Sequence, residues 1–273
     1  MTTEPSALTG MERDRWDRAV GDYEALLGRA TRQFVDSLLD LAAVGAGTAV
    51  LDAGSGPGDL AIAAAGRGAT VVAADLSARM LERVRERAPE IATLHVDGTG
   101  LPLDDGAVDA VVAGFLLNHV DDARATLAEL RRVLRPGGRL AATIWDVPER
   151  ARHNGLIFEA VAATLGGLPV TPRPSRPLVA SEDALRELLE GAGFVETSAD
   201  RVDGTLAVAD PAELLDLVAR STALSAELVA AVPGELRPRL DGELARRMKP
   251  YRDGPAFILP TPALLFGGRV PQS

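Results

Sequence analysis

The chain has 273 residues, 47% hydrophobic and 25% charged, a balance that suits a folded globular protein and excludes global disorder. Its net charge of −10 is a poor electrostatic match for nucleic-acid phosphates or an anionic membrane, so neither is expected as a partner. There is no cysteine, which excludes disulfides, thiolate nucleophiles and cysteine-held metals; His95, His119 and His153 stand too far apart for a His-pair motif, and no metal site is expected.

No stretch approaches the roughly 18 apolar residues that span a bilayer. The first residues lack a basic segment followed by an apolar one, so a cytoplasmic location is the expectation. Residues 13–43 carry apolar side chains at helical spacing: Trp16, Val20, Tyr23 and Leu27, then Phe34, Leu38 and Leu41. A breaker follows at Gly45, Ala46 and Gly47. From there short apolar runs at 48–53, 70–74, 91–95, 108–113 and 139–145 alternate with amphipathic helical segments at 59–66, 77–88 and 122–134. Runs this apolar on both faces belong in a parallel sheet covered by helices on both sides. The expected fold class is therefore α/β, a doubly wound, mostly parallel, Rossmann-like sheet.

After Trp145 the pattern changes. Residues 146–180 are proline-rich with no strand pattern and one short helix candidate at 155–165. Ser181 caps a helix that stops at 191–193, a strand follows at 194–201, helices are expected over 211–249, and a last strand closes the chain at 260–269. The chain so divides into an N-terminal helical segment (1–45), a core (46–145), a cap insertion (146–180), a return to the core (181–209), a helical cap insertion (210–258) and a last core strand with its tail (259–273).

The sharpest signal is the stretch 50–58, VLDAGSGPG, between a strand and a helix. Gly54, Gly56 and Gly58 let the backbone approach a ligand where a Cβ would clash, and the following helix offers free N–H groups. Three readings are open at this point: a ligand-free turn, a dinucleotide site, or an S-adenosylmethionine site. The dinucleotide fingerprint is G-x-G-x-x-G, and its third glycine would fall at Asp59 here. Asp52 is awkward beside a pyrophosphate but suits a ligand that carries an ammonium and a sulfonium. Asp75 ends the second run, where a carboxylate can accept both ribose hydroxyls. Asp97 follows the third run, placed to accept from an adenine amino group. Three acids at the C-terminal ends of three consecutive strands sit where such sheets bind ligands.

Four stretches, VLDAGSGPG (50–58), VVAADLS (71–77), VDGTGLPLDDGAVDAVVAGFLLNHV (96–120) and ELRRVLRPGGRLAATIW (129–145), resemble the class I S-adenosylmethionine-dependent methyltransferases, in particular the small-molecule group similar to ubiquinone/menaquinone-biosynthesis methyltransferases. The segments AGFVET and LPTPALLFGGR resemble the last two strands of that family, and RWDRAVGDYEALL resembles its helix that closes over the cofactor. The resemblance implies a seven-stranded sheet with an antiparallel last strand, a helical cap, and S-adenosyl-L-methionine as cofactor. It implies that Asp52 and the turn of Gly54, Ser55, Gly56 and Gly58 hold the amino-acid end. Asp75 would bind the ribose, Leu76 and Met80 would lie against the adenine, and Asp97, Gly98 and Thr99 would fix its amino side. Phe115 and His119 would flank the methionine portion or the acceptor. Pro57 departs from the small polar residue that many relatives carry.

Methyl transfer from a sulfonium needs positioning more than acid–base chemistry, so a catalytic dyad is not required. His119 is the base candidate, and its alternative is a structural or cofactor-orienting role. His153 either faces the acceptor or lies on the surface, and His95 is a packed or rim histidine. Trp16, Tyr23, Trp145 and Phe158 could wall a pocket for an apolar or aromatic acceptor, or simply pack the core; Trp16 and Tyr23 are seven apart and share a helix face. Arg124, Arg131, Arg132 and Arg135 read as a solvated basic face. The expected partner is a small-molecule acceptor, and a tailoring enzyme of secondary metabolism and a quinone-like C-methyltransferase both fit. A cyclisation, decarboxylation or hydroxylation on the same fold, or a non-catalytic cofactor-binding subunit, is the alternative. The oligomeric state stays open.

Overall fold

The computed structural model describes residues 13, 16, 17, 20, 21, 23, 24, 27–96, 100–169, 181–221 and 223–272. Seven strands form one sheet: β1 (Ala49–Ala53), β2 (Thr70–Asp75), β3 (Ala92–His95), β4 (Val108–Gly114), β5 (Leu134–Trp145), β6 (Val195–Val202) and, last in the chain, β10 (Ala263–Arg269). Their order is β3-β2-β1-β4-β5-β10-β6. Neighbours from β3 through β5 pair in parallel, while β10 runs antiparallel to both β5 and β6. The seven-stranded sheet with its antiparallel last strand is the architecture that the resemblance implied.

The strands are apolar on both faces because helices cover both. Val50, Val71, Ala73 and Val112 pack on one face against α1 (Val35–Leu41) and α2 (Asp59–Gly66). Leu51, Ala53, Ala74 and Val111 face the other way, against α4 (Ala123–Val133) and α6 (Glu182–Gly191). Between them in sequence, α3 (Ala78–Arg87) and α5 (Arg152–Leu165) complete the helices up to α6. The helix starts are written locally. Ser77 accepts from the Met80 N–H, Asp122 from those of Arg124 and Ala125, and Ser181 from that of Ala184. In α4 the buried residues Leu127, Leu130 and Val133 recur every third position and face the sheet. Each such leucine is worth about 1.5–3 kcal/mol of burial.

Four sequence expectations need correction. The region 210–258 is not helical throughout: besides α7 (Pro211–Ser221), α8 (Ala223–Ala230) and α9 (Arg237–Met248) it carries β8 (Arg252–Asp253) and most of β9 (Ala256–Pro260). With β7 (Thr205–Val208) these make a second, three-stranded antiparallel sheet of order β7-β9-β8. Residues 259 and 260 therefore belong to that sheet, and the last core strand begins at Ala263. β5 starts at Leu134, five residues before the expected run at 139–145, and residues 135–138 form an irregularity in it where the register against β4 shifts. The basic run is a fastener as much as a solvated face. Arg132 reaches Glu129, Asp105 and the carbonyls of Leu101 and Leu103, Arg135 pairs with Asp109 at 2.6 Å, and Arg131 donates to the Gly193 carbonyl.

Helices α5, α7, α8 and α9 and the small sheet share a core of their own, with Leu156, Ile157, Leu214, Leu240, Leu244 and Phe257 buried together. That core is continuous with Phe34, Phe115 and Trp145, which lie at the C-terminal edge of the large sheet. Among the described residues no helix is long and apolar enough to cross a membrane.

Candidate functional site

β1 ends in the glycine turn and α2 begins directly after it. The amides of Gly54 and Ser55 both donate to the Ala74 carbonyl, at 2.8 and 3.0 Å, which ties the turn to β2. Gly58 has φ +92°, and a Cβ there would come 3.0 Å from the Val84 side chain. Gly54 has φ +71°, and its Cβ would meet Leu116 at 2.9 Å. Both positions need glycine for conformation and for space.

The turn borders a cavity of about 500 Å³ at the C-terminal edge of the sheet, where open α/β sheets bind their ligands. Gly54, Gly56, Asp75, Leu76, Met80 and Phe115 line one part of it, and Trp16, Tyr23, His119 and Trp145 line another. The structure thus brings ten of the expected site residues to one cavity. Asp97, Gly98 and Thr99 lie outside the described residues. Asp52 and Ser55 sit in the turn's support, and Phe158 packs half-buried in the cap core away from the cavity wall.

Asp75 closes β2, and its carboxylate accepts the N–H of Gly56 and the N–H of Ser77, each at 2.8 Å. Burial raises its pKa above the usual carboxylate value, and these two amides work against that rise. Asp52 is fully buried and lies behind the turn rather than on the cavity wall, with the Ala61 N–H of α2 as the backbone donor that acts on it. Burial pushes its pKa up to about 8; the Ala61 N–H works against that rise, and the nearby Asp75 and Asp59 charges add to it.

Past β4 the chain turns sharply at Phe115, whose φ is +61°. A non-glycine residue in this region is strained and needs a local reason. The Phe115 N–H is held by the Thr143 carbonyl at 3.0 Å and its ring stacks on Trp145 at 4.1 Å between centroids, so the turn is braced on both sides. His119 is half-buried, edge-on to Trp16 at 5.0 Å, and Trp16 is in turn edge-on to Tyr23 at 5.7 Å. The described residues between 13 and 24 are helical, and polar contacts clip them over α3. The Ser77 hydroxyl donates to Asp17 at 2.5 Å, and Glu24 pairs with Arg83 at 2.7 Å and Arg87 at 3.3 Å.

His153 is neither on the surface nor on the cavity wall. It is buried behind Trp145, 4.6 Å from that ring, and burial drives its pKa down to about 3. Its Nε2 meets the Asn154 amide at 3.0 Å, and its Nδ1 has no partner. The apolar residues that follow at 155–165 pull the first turn of α5 into the cap core, which a single proline-rich context does not reveal. His95 is exposed at the rim, with Nε2 against the Leu76 carbonyl at 3.0 Å. Sequence reasoning missed Leu27, Leu101, Leu116 and Glu129, which also line the cavity. Three are leucines with no distinguishing pattern. Glu129 is recognisable only through its tertiary contacts, the Leu101 N–H and Arg132.

Residues 51–142 match the family model described as a methyltransferase domain. The demethylmenaquinone methyltransferase of Thermus thermophilus is 36% identical over 174 residues, which cover 57% of this chain and 78% of that protein. The demethylmenaquinone methyltransferase of Clavibacter sepedonicus is 42% identical over 126 residues, 44% of this chain and 51% of that protein. The chain spans 51% to 61% of the length of the first curated relatives it matches. Among solved structures, phosphoethanolamine N-methyltransferase 2 of Haemonchus contortus in complex with S-adenosyl-L-methionine has the same fold, with a TM-score of 0.55 at 19% identity over 94% of this chain and 57% of that one.

Proposed function

We propose, on the premise that the chain belongs to the class I S-adenosylmethionine-dependent methyltransferases, that it binds S-adenosyl-L-methionine and transfers a methyl group to O, N or C of a small apolar or aromatic acceptor. The observation that carries this reading is the single cavity that joins the glycine turn and Asp75 to the aromatic wall of Trp16, Tyr23, Phe115 and Trp145. The residues fit the cofactor: the Asp75 carboxylate stands on the cavity wall as an acceptor, and the glycine turn beside it admits a close ligand.

When bound, S-adenosyl-L-methionine supplies a methyl group already activated by a positive sulfur. The chain's work is to hold and enclose. The glycine turn, with Asp52 behind it, takes the amino-acid end, Asp75 takes the ribose hydroxyls, and Leu76 and Met80 pack against the adenine. Asp97, Gly98 and Thr99 are assigned its amino edge. The aromatic wall positions the acceptor and excludes water. Burial keeps Tyr23 protonated, with its pKa pushed up to about 12, so it serves as a donor. His119, beside Trp16, receives the proton that the acceptor gives up.

A thermal-shift panel tests the cofactor. S-adenosylhomocysteine at about 100-fold excess over its Kd adds about 2.7 kcal/mol of stability, whereas NAD and FAD leave the melting temperature unchanged. Product mass then tests the reaction: methyl transfer adds one CH₂ to the acceptor. Turnover with an altered acceptor and no such gain indicates a cyclisation, decarboxylation or hydroxylation instead. Binding with no turnover on any acceptor indicates a non-catalytic subunit. For His119→Ala the expected result is a fall in kcat of about 100-fold, the low end for a lost general base, with S-adenosylhomocysteine affinity kept within about twofold. Equal losses in both would make His119 a binding residue.

A further inference from the structure

β7 is an edge strand. In the order β7-β9-β8 one of its sides pairs with β9, and among the described residues no strand lies along the other. Such an edge leaves backbone donors and acceptors in need of partners. Two side chains of the N-terminal segment take them. The Gln33 amide donates to the Thr205 carbonyl at 2.6 Å and accepts the Thr205 N–H at 3.0 Å, the pair of bonds that a residue of a further strand would make. Arg29 donates to the Ala207 carbonyl and pairs with Glu213 of α7 at 2.8 Å.

The match is one of spacing. Gly28–Thr31 and Arg32–Phe34 are helical turns, so Arg29 and Gln33, four apart, share a face with about 6 Å between them. Thr205 and Ala207, two apart on a strand, are separated by about 6.6 Å. The other face of the same turns is apolar: Leu27, Ala30 and Phe34 are buried with Leu206, Val208 and Leu214 in the cap core. An exposed ion pair alone would hold little. Three backbone groups of one strand edge, with an apolar face beneath them, hold the segment in register.

The segment fixed in this way meets the aromatic wall at both of its ends. Tyr23 and Leu27 line the cavity on the N-terminal side, with Trp16 edge-on to Tyr23. Phe34 ends it, edge-on to Phe115 at 5.6 Å and to Trp145 at 6.2 Å. We propose that Arg29 and Gln33 are positioning residues for the acceptor: they strap the N-terminal segment to the edge of the small sheet, and the sheet thereby sets where Trp16 and Tyr23 stand in the wall. The assignment rests on the reading of that wall as the acceptor site. It gives the cap a part in the site although, among the described residues, none after Trp145 lines the cavity.

The two tryptophans of the chain, Trp16 and Trp145, both belong to the wall, so acrylamide quenching of tryptophan fluorescence reads its closure in the ligand-free protein, with no acceptor needed. Trp145 is the more buried of the two, and a change in quenching reports chiefly on Trp16. Gln33→Leu keeps the bulk and loses both bonds; it should raise the quenching constant about two- to threefold, and Arg29→Met should do the same. Arg29→Lys should keep most of the wild-type value. Glu213→Gln, made on the cap side and far in sequence from either tryptophan, should raise the constant by a smaller factor. Unchanged quenching in both Gln33→Leu and Arg29→Met overturns the assignment, whatever their stability in urea, because a contact that only stabilises the fold leaves the wall where it was. Should those two variants fail to fold, unchanged quenching in Glu213→Gln overturns it instead. Failure of the cofactor reading shows separately, as wild-type protein whose melting temperature S-adenosylhomocysteine leaves unchanged, and it would take the acceptor role of the wall with it.

Discussion

Replacing Asp75 with alanine is expected to weaken S-adenosylhomocysteine binding by about 100-fold or more and to lower the melting temperature of the ligand-free protein as well. The carboxylate is used twice over. Its two oxygens accept the amides of Gly56 and Ser77, at 2.8 Å each, and so join the glycine turn to the first turn of α3. It also lines the cavity, where it is assigned the ribose hydroxyls. Alanine leaves two backbone donors without acceptors in a buried place, at about 1–3 kcal/mol each. It also removes charged hydrogen bonds worth about 1.5–3 kcal/mol apiece to a ligand. Asparagine keeps one carboxamide oxygen, so Asp75→Asn should recover much of the stability and little of the affinity. Calorimetry for binding and chemical denaturation for stability separate the two effects. Unchanged affinity in both variants would remove Asp75 from the site.

The second large effect is on pH dependence. Asp52 titrates near 4 when unfolded and at about 8 in the folded chain, so between these values the folded state holds the extra proton. Stability therefore falls as pH rises through that window, by about 1.4 kcal/mol per unit. His153 works in the opposite sense. Its value drops from 6.5 to about 3 on folding, so the unfolded chain holds the extra proton there and stability rises with pH up to 6.5. From about pH 4 to 6.5 the two slopes oppose each other. Above 6.5 only the Asp52 slope remains, and the ligand-free protein should lose about 2 kcal/mol between pH 6.5 and 8. Asp75, also raised by burial, acts in the same direction as Asp52. Asp52→Asn should flatten most of this fall. Urea denaturation at three pH values across the window is the measurement; a level profile for wild type would mean that Asp52 is not held as a buried acid.

Much of the site was legible because its signals are local. The glycine turn needs glycine at 54 and 58 for reasons of conformation and space within one strand–helix connection, and such a requirement is visible in a linear chain. Asp75 was legible from its place at the end of an apolar run. Trp16 and Tyr23 were legible as a pair on one helix face, but which wall they form depends on the clips from Asp17 to Ser77 and from Glu24 to Arg83. His153 illustrates the opposite limit. Arg150, Arg152 and Asn154 beside it are polar, yet it is buried because α5 packs into a cap core that also holds Leu206, Leu214, Leu240 and Phe257, more than 50 positions away. The three-stranded sheet escaped for a similar reason. β7 has four residues and pairs with β9 across the whole of α7 to α9, and the local partner of β9, β8, is only two residues long.

The succession of strands and helices over 48–145, the covered parallel sheet and the glycine turn were determined by the sequence alone, because hydrophobic period and glycine placement act over a few residues. Tertiary structure decided the charge states and the walls. Asp52 is a buried acid near pKa 8, and Trp16 and Tyr23 stand on the cavity wall, only because folding removes water from the first and brings the other two from a segment about 30 residues upstream. Desolvation and long-range juxtaposition have no signature in a string of residue names, and they are what turn a common sheet edge into a particular site.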